Sequence, residues 1–294
     1  MILSGKARLA GVVGWPISHS KSPRLHGYWL EQLAIDGAYL PLAIAPESFD
    51  LALRGLMAAG FQGVNVTVPH KEAALRFCDE IDPLARRIGA VNTLVFKDDK
   101  AWGSNTDAFG FIENLRQNTE KLDFSRSSCV VLGAGGAARG VIAALQDAGV
   151  PEIFLLNRTR SRAEALAEDL SPDNSKDVTG KITDNITGKI TVLPWEERSR
   201  SLDRADLLVN TTSLGMAGQA PLELDLAALP RDAVVTDIVY APLITPLLAL
   251  AEKNGNPIVD GLGMLLHQAR PGFEAWFGQR PAVTEELRKF VLAS

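Results

Sequence analysis

The stretch Gly133-Ala134-Gly135-Gly136-Ala137-Ala138-Arg139, entered through Ser128-Cys129-Val130-Val131-Leu132, has the residue types and spacing to hold a dinucleotide pyrophosphate. A short β-branched strand runs into a glycine-rich turn that opens a helix. Gly133 permits the tight turn, Gly135 lets the backbone approach the phosphates, and Ala138 is the third small residue, where helix meets sheet. The helix N-terminus then offers free N–H donors to an anion. Such a string alone is equally a turn without a ligand; its setting between strand and helix is what gives it weight. The next apolar run, Ile153 to Leu156, leads to Asn157-Arg158-Thr159-Arg160-Ser161-Arg162, where such a fold places the group that reads the adenosine ribose. An acidic residue there would accept the 2′-hydroxyl of NAD. Arginines suit a 2′-phosphate instead, so the expected cofactor is NADP.

A second group of polar residues lies in the first third of the chain. Ser18-His19-Ser20-Lys21-Ser22, Asn65-Val66-Thr67-Val68-Pro69-His70-Lys71, Ala90-Val91-Asn92-Thr93 and Ser104-Asn105-Thr106-Asp107 each follow or end an apolar run. Open α/β sheets bind ligands at such strand ends. Alternation puts Asn65 and Thr67 on one strand face, and a face of amides and hydroxyls suggests a hydroxyl-rich ligand. Lys71 falls in the first turn after Pro69, where the helix dipole disfavours an ammonium; this suits it to proton exchange, with Asp107 as its natural carboxylate partner. Taken singly, an exposed lysine and a helix-capping aspartate are the ordinary readings.

Stepping outward to the elements that must hold these residues, the 294-residue chain is long enough for two cores. Its 46% hydrophobic and 22% charged content is that of a globular protein, and a net charge of -5 gives no basic field for nucleic acid. No apolar run reaches the ~18 residues a membrane span needs, and the first residues lack a signal-peptide pattern, so a cytoplasmic protein is expected. Cys78 and Cys129 read as small core residues, and the four histidines show no metal-ligand spacing, so no metal is expected. Strands are expected over 9–15, 39–44, 64–68 and 90–96. Helices should start at Ser22-Pro23, with Ser22 as N-cap, and run over 46–59, from Lys71, and over 108–118; a turn covers 102–107. This rhythm implies α/β with parallel strands. A second α/β region follows, with strands near Val130, Phe154, Val192, Leu208, Val235 and Ile258. Residues 171–191, where Thr179-Gly180-Lys181-Ile182-Thr183 recurs as Thr187-Gly188-Lys189-Ile190-Thr191, read as a polar loop or hairpin insertion. A last helix over 262–277 should bend or break at Pro271.

Together these motifs resemble the shikimate dehydrogenase family. Gly14 to Pro23, Asn65 to Lys71, Gly89 to Thr93 and Asn105 to Asp107 match in the first half. Gly133 to Arg139, Asn157 to Thr159, Asn210 to Met216, Asp237 to Pro242 and Gly261 to Gln268 match in the second. The resemblance implies a two-domain α/β fold. Residues 1–107 plus 261–294 would form a substrate-binding catalytic domain and 108–260 a Rossmann-type NADP domain, with a cleft between them. It implies reversible NADPH-linked reduction of 3-dehydroshikimate to shikimate on the route to chorismate and the aromatic amino acids. Lys71 and Asp107 would be catalytic. Ser20 and Ser22 would bind the substrate carboxylate with Tyr240 nearby, and Thr67, Asn92 and Gln268 would join the dyad around the ring hydroxyls. Gly133, Ala134, Gly135, Gly136, Ala137, Asn157, Arg158, Thr159 and Arg162 would hold the phosphates of NADP. Ile238 and Gly261 would contact the nicotinamide end, and Met216 would pack near it unless it is core filler. Gly27 stands where asparagine is common, and His70 where an apolar residue is common, so that its ring would border the site. The small-molecule substrate is the only expected partner, in a monomer or homodimer. The alternatives are a quinate/shikimate dehydrogenase of broader specificity and a non-catalytic ligand sensor.

Overall fold

The computed structural model describes residues 2–120, 122–171 and 188–293. It divides into a first unit, residues 1–110 with 266–294, and a second unit, residues 111–265. The divisions fall inside helices.

The first unit is built on a mixed six-stranded sheet of order β2-β1-β3-β5-β6-β4. Its strands are β1 (Arg8–Gly14), β2 (Gly37–Ala43), β3 (Gly63–Val66), β4 (Glu80–Ile81), β5 (Thr93–Lys97) and β6 (Lys100–Ser104). β1 pairs in parallel with β2 and β3, as the alternating rhythm of the sequence requires. β4 and β6 are also parallel, and only β5 departs from the parallel expectation, being antiparallel to both β3 and β6. β5 and β6 form a hairpin turned by Asp98 and Asp99, both at positive φ of 53° and 56°. A two-residue turn needs that geometry, and aspartate tolerates it without the glycine that usually announces it. Residues 102–104 therefore belong to a strand, and the turn is confined to 105–106.

Helices α1 (Ser22–Gln32), α2 (Phe49–Ala58), α3 (Lys71–Phe77) and α4 (Pro83–Ile88) belong to this unit. Pro23 sits in the first turn of α1 and Lys21 is the N-cap, one residue before the expected Ser22. Val13, Val64, Val66 and Leu94 pack against Phe49 and Leu53 of α2, with Ala74 and Ala85 from the short helices. Elsewhere in the unit an aromatic cluster surrounds His26. Its ring is fully buried, stacks on Tyr39 at 3.8 Å with an interplanar angle of 1°, and meets Trp29 edge-on.

The second unit is a wholly parallel six-stranded sheet of order β12-β11-β10-β7-β8-β9. Its strands are β7 (Ser128–Leu132), β8 (Glu152–Leu156), β9 (Lys189–Leu193), β10 (Leu207–Asn210), β11 (Val234–Asp237) and β12 (Ile258–Val259). Numbered from β7, this is the 3-2-1-4-5-6 order of a doubly wound dinucleotide fold. Helices α6 (Gly136–Asp147), α7 (Arg160–Asp169) and α8 (Pro246–Asn254) follow β7, β8 and β11. Val130, Leu132, Leu156, Leu208 and Val235 are almost completely buried, as strands covered on both faces must be. Most of the polar insertion, 172–187, with the first repeat copy, lies outside the described residues. The end of the second copy is not loop: Lys189, Ile190 and Thr191 open β9, paired in parallel with β8.

Helices α5 (Asp107–Asn118) and α9 (Leu262–Phe277) contain the two divisions, and α10 (Glu285–Leu292) closes the chain. α9 continues through Pro271 without breaking. The proline removes one backbone donor, and the burial of Leu266, Phe273, Trp276 and Phe277 on the same helix offsets that loss. Met264 and Leu265 are only half-buried. No helix among the described residues is long and apolar enough to cross a membrane.

Both ring nitrogens of His26 lack a hydrogen-bond partner. Burial pushes its pKa down from 6.5 to about 3. The neutral ring is therefore the folded form, and its contribution is complete above pH 6.5 and lost as pH falls toward 3. From pH 7 to 5 the expected loss is about 2 kcal/mol. Urea unfolding at the two pH values should show this loss in the wild type and a correspondingly smaller one in His26→Phe, which keeps an aromatic ring but cannot titrate.

Candidate active site

Lys71 is the first residue of α3 and Asp107 the first of α5, 36 residues on, yet Nζ lies 2.5 Å from Oδ2. Their side chains are 31% and 26% exposed, so the pair faces solvent on one side only. Asp107 is fixed from behind. Its N–H donates to Asn105 Oδ1 at 3.1 Å, and Asn105 Nδ2 donates to the carbonyl of Ala90 at 3.0 Å. Asn92 Nδ2 donates to the other carboxylate oxygen, Oδ1, at 2.8 Å. The Asn92 amide cannot turn over, because its Oδ1 accepts the backbone N–H of Thr106 at 2.8 Å as well as the Thr93 and Thr106 hydroxyls. Asn92 thus holds Oδ1 of Asp107 as an acceptor and leaves Oδ2 to the Lys71 amine.

The other expected substrate residues lie in the same unit, with one exception. Ser22 is buried and Ser20 partly so, and the Ser22 N–H donates to Ser20 Oγ at 3.3 Å. Thr67 is half-buried just beyond β3, its N–H bonded to the Val13 carbonyl. Gln268 is buried on α9. Tyr240 belongs to the second unit, half-buried, and burial raises its phenol above the ordinary value. His70, expected to border the site, is instead a core residue: 2% exposed, stacked on Phe49, with Nε2 at 2.8 Å from the Ile44 carbonyl. Tyr39 gave no sequence signal, since it sits in an ordinary strand. Its hydroxyl donates to Asn65 Oδ1 at 2.6 Å.

In the second unit the sheet reverses its order at β7, which pairs with both β8 and β10. Gly133, at the end of β7, has φ +109°, and a Cβ there would meet Thr211 Oγ1 at 2.6 Å. Gly135 is the N-cap of α6 and Gly136 its first residue; a Cβ on either would point into open space. Behind them Ala138 is fully buried against the sheet. The turn is therefore an open cradle with uncapped N–H groups, as a pyrophosphate requires. After β8, Asn157 Nδ2 donates to the Thr159 carbonyl at 2.8 Å, and Thr159 is the N-cap of α7 with no side-chain bond. Arg160 is paired with Glu164, whereas exposed Arg158 and Arg162 have no ion-pair partner among the described residues. These two cations stand ready for an anion. Ile238 and Gly261 are in close contact through the backbone, where a Cβ on Gly261 would collide with the Ile238 carbonyl. Met216 is 40% exposed, too open for core filler. Asn210 and Asp237 are a polar pair the sequence reading did not single out. Asn210 Nδ2, Thr245 Oγ1 and the Val239 N–H all donate to the buried Asp237 carboxylate, whose pKa burial nevertheless raises.

Three family models match the chain in succession. Residues 12–94 match the family model "Shikimate dehydrogenase substrate binding domain", 114–184 match "Shikimate / quinate 5-dehydrogenase", and 261–286 match "Shikimate 5'-dehydrogenase C-terminal domain". A shikimate dehydrogenase (NADP(+)) of Paramagnetospirillum magneticum is 62% identical, covering 99% of this chain and 100% of that protein. The chain belongs to the shikimate dehydrogenase family. Among solved structures, shikimate 5-dehydrogenase of Thermus thermophilus in complex with NADP(H) and shikimate is 34% identical, with a TM-score of 0.82 over 97% of this chain and 99% of that one. A quinate dehydrogenase of Corynebacterium glutamicum in complex with NAD is 28% identical, with a TM-score of 0.86 over 98% and 99%. In this family member the glycine turn should tolerate no side chain at its first position. Gly133→Ala is expected to cost about 1–3 kcal/mol in urea unfolding, from the positive φ and the Thr211 contact together, and to weaken NADP binding measured by fluorescence titration.

Proposed function

We propose that this chain is an NADP-dependent shikimate dehydrogenase that reversibly reduces 3-dehydroshikimate to shikimate on the route to chorismate and the aromatic amino acids. The observation that carries the reading is the Lys71–Asp107 pair, an amine held at 2.5 Å by a carboxylate whose other oxygen is already taken by Asn92. When bound, NADPH supplies the hydride that reduces the C3 carbonyl carbon. Lys71 donates a proton from Nζ to the oxygen that becomes the C3 hydroxyl, and recovers it in the reverse direction. Asp107 keeps the amine oriented and charged before transfer and balances its charge, which is electrostatic support given where charge develops.

The remaining assignments follow the chemistry of each group. Ser20 and Ser22 offer hydroxyl donors to the substrate carboxylate, with Tyr240 beside it. Thr67, Asn92 and Gln268 supply amide and hydroxyl groups for the ring hydroxyls. The open turn Gly133, Ala134, Gly135, Gly136 and Ala137 holds the pyrophosphate, Arg158 and Arg162 with Asn157 and Thr159 the 2′-phosphate, and Ile238 and Gly261 the nicotinamide end. The absence of an acidic residue after β8 favours NADP over NAD. Residues 1–107 with 261–294 are proposed as the substrate-binding domain and 108–260 as the cofactor domain. We place the protein in the cytoplasm, which suits two unpaired cysteines, as a monomer or homodimer.

Initial rates with shikimate and with quinate, each with NADP+ and NAD+, test the reading. Shikimate with NADP+ should dominate; comparable rates with quinate or NAD+ would point to a broader quinate/shikimate dehydrogenase, and no turnover at all to a sensor. Lys71→Ala should lower kcat by roughly 10²–10⁴-fold while KM for shikimate changes only a few-fold. Replacing Arg158 and Arg162 together by Ala should raise KM for NADP+ about 10–100-fold and leave KM for NAD+ nearly unchanged, from the loss of charge-assisted bonds.

A further inference from the structure

Behind the Lys71–Asp107 pair runs a hydrogen-bond chain whose every member points the same way. Its direction is set by two backbone groups. Asn65 Nδ2 lies 3.2 Å from the carbonyl of Asn92, which can only accept, so Asn65 Oδ1 is turned to Tyr39 and the Tyr39 hydroxyl donates to it at 2.6 Å. The Thr106 N–H, which can only donate, fixes Asn92 Oδ1 as an acceptor, so Asn92 Nδ2 is turned to Asp107. Between these anchors Asn65 Nδ2 donates to Thr93 Oγ1 at 3.0 Å, and Thr93 Oγ1 donates to Asn92 Oδ1 at 2.9 Å. The order is Tyr39, Asn65, Thr93, Asn92, Asp107.

Tyr39, Asn65, Thr93 and Asn92 are each no more than 6% exposed, so water cannot replace a missing link cheaply. Aligned bonds polarise one another, and in a buried setting the effect is larger than in water. This chain delivers its donor end to the carboxylate oxygen opposite the one that holds Lys71.

We propose that Tyr39 and Thr93 are positioning residues of the dehydrogenase reaction, acting through one head-to-tail relay that holds Asn92, and through it Asp107, in the geometry that orients the Lys71 amine. The proposal rests on the shikimate dehydrogenase reading of the same site. Neither residue faces the reacting atoms: Tyr39 is stacked under His26, and Thr93 is enclosed by Asn65, Asn92 and Thr106. They share no direct hydrogen bond, and Asn65 joins them. That separation makes the relay measurable.

Tyr39→Phe keeps the ring and its stack and removes only the hydroxyl; Thr93→Val keeps the shape and removes the hydroxyl. Each should lower kcat about tenfold, the scale of one buried hydrogen bond, with KM for NADP+ unchanged. Thr93→Ser, which restores the hydroxyl, should recover kcat to within about twofold. In the double variant Tyr39→Phe/Thr93→Val the losses should not multiply, and kcat should stay within about threefold of the slower single variant, because a relay broken once has little more to lose. A double variant about a hundredfold slower than wild type, the product of two independent losses, would overturn the relay, as would two folded single variants with wild-type kcat. Should Thr93→Val fail to fold, Tyr39→Phe with Thr93→Ala completes the cycle on the same criteria. Wild-type turnover is measured alongside: an inactive wild type would overturn the functional reading and the relay's part in it, whereas an active wild type with multiplicative losses would overturn the relay alone.

Discussion

An ion pair with a quarter to a third of each side chain in solvent contributes little to folding, about 0–1 kcal/mol. Attraction between Lys71 and Asp107 therefore does not hold this corner of the molecule together; the corner holds the pair. Asp107 is clamped by Asn105 through its own N–H and by Asn92 through its carboxylate, and Asn92 is locked by a backbone N–H that admits no alternative orientation. Those bonds are buried or partly buried, where a lost partner costs more than a made bond gains. The position of the pair thus depends on the neutral amides and hydroxyls behind it.

The second unit solves its own version of the same problem. Asp237 is a buried carboxylate bonded to Asn210, Thr245 and the Val239 N–H, all uncharged donors. Thr245 serves twice, since it also caps α8 by accepting the Leu248 N–H. Asn210 in turn accepts from Thr212, which follows the residue lying against Gly133. The loops after β10 and β11 are fastened to one another, and the glycine turn leans on them. A phosphate cradle made of backbone N–H groups has no side chain to adjust, so the rigidity of its surroundings decides how well it is formed.

The sequence disclosed these sites unevenly, for identifiable reasons. The turn at Gly133 and the Lys71–Asp107 partnership were legible because glycine takes a positive φ without strain and because an amine at one strand end calls for a carboxylate at another. The parallel strands of both units were legible from apolar runs alternating with helical periodicity. The β5–β6 hairpin was not, because Asp98 and Asp99 supply positive φ without glycine, and charged residues at a turn look like any surface loop. The strand expected near Val192 is β9, but its first residues were read as insertion because of the repeat they share. His70 was misplaced because proximity in sequence to Lys71 says nothing of direction: α3 starts between them, and the imidazole turns into the core while the amine turns out. Tyr39 was invisible, since a tyrosine in a half-apolar strand is an ordinary core residue until its hydroxyl is seen to reach Asn65.

The backbone of the dyad is stitched into the first sheet. The Val91 N–H donates to the Lys71 carbonyl, and the Val66 N–H to the Asn92 carbonyl. The Thr106 N–H is bonded to Asn92 Oδ1, so both helices that begin at the dyad start at a fixed distance from the residues that lead into β5. Adding or deleting one residue between Val66 and Lys71, or between Ser104 and Asp107, would move a helix start off those bonds and displace the amine or the carboxylate. Spacing in these two connections therefore matters to the dyad as much as the identity of its two residues.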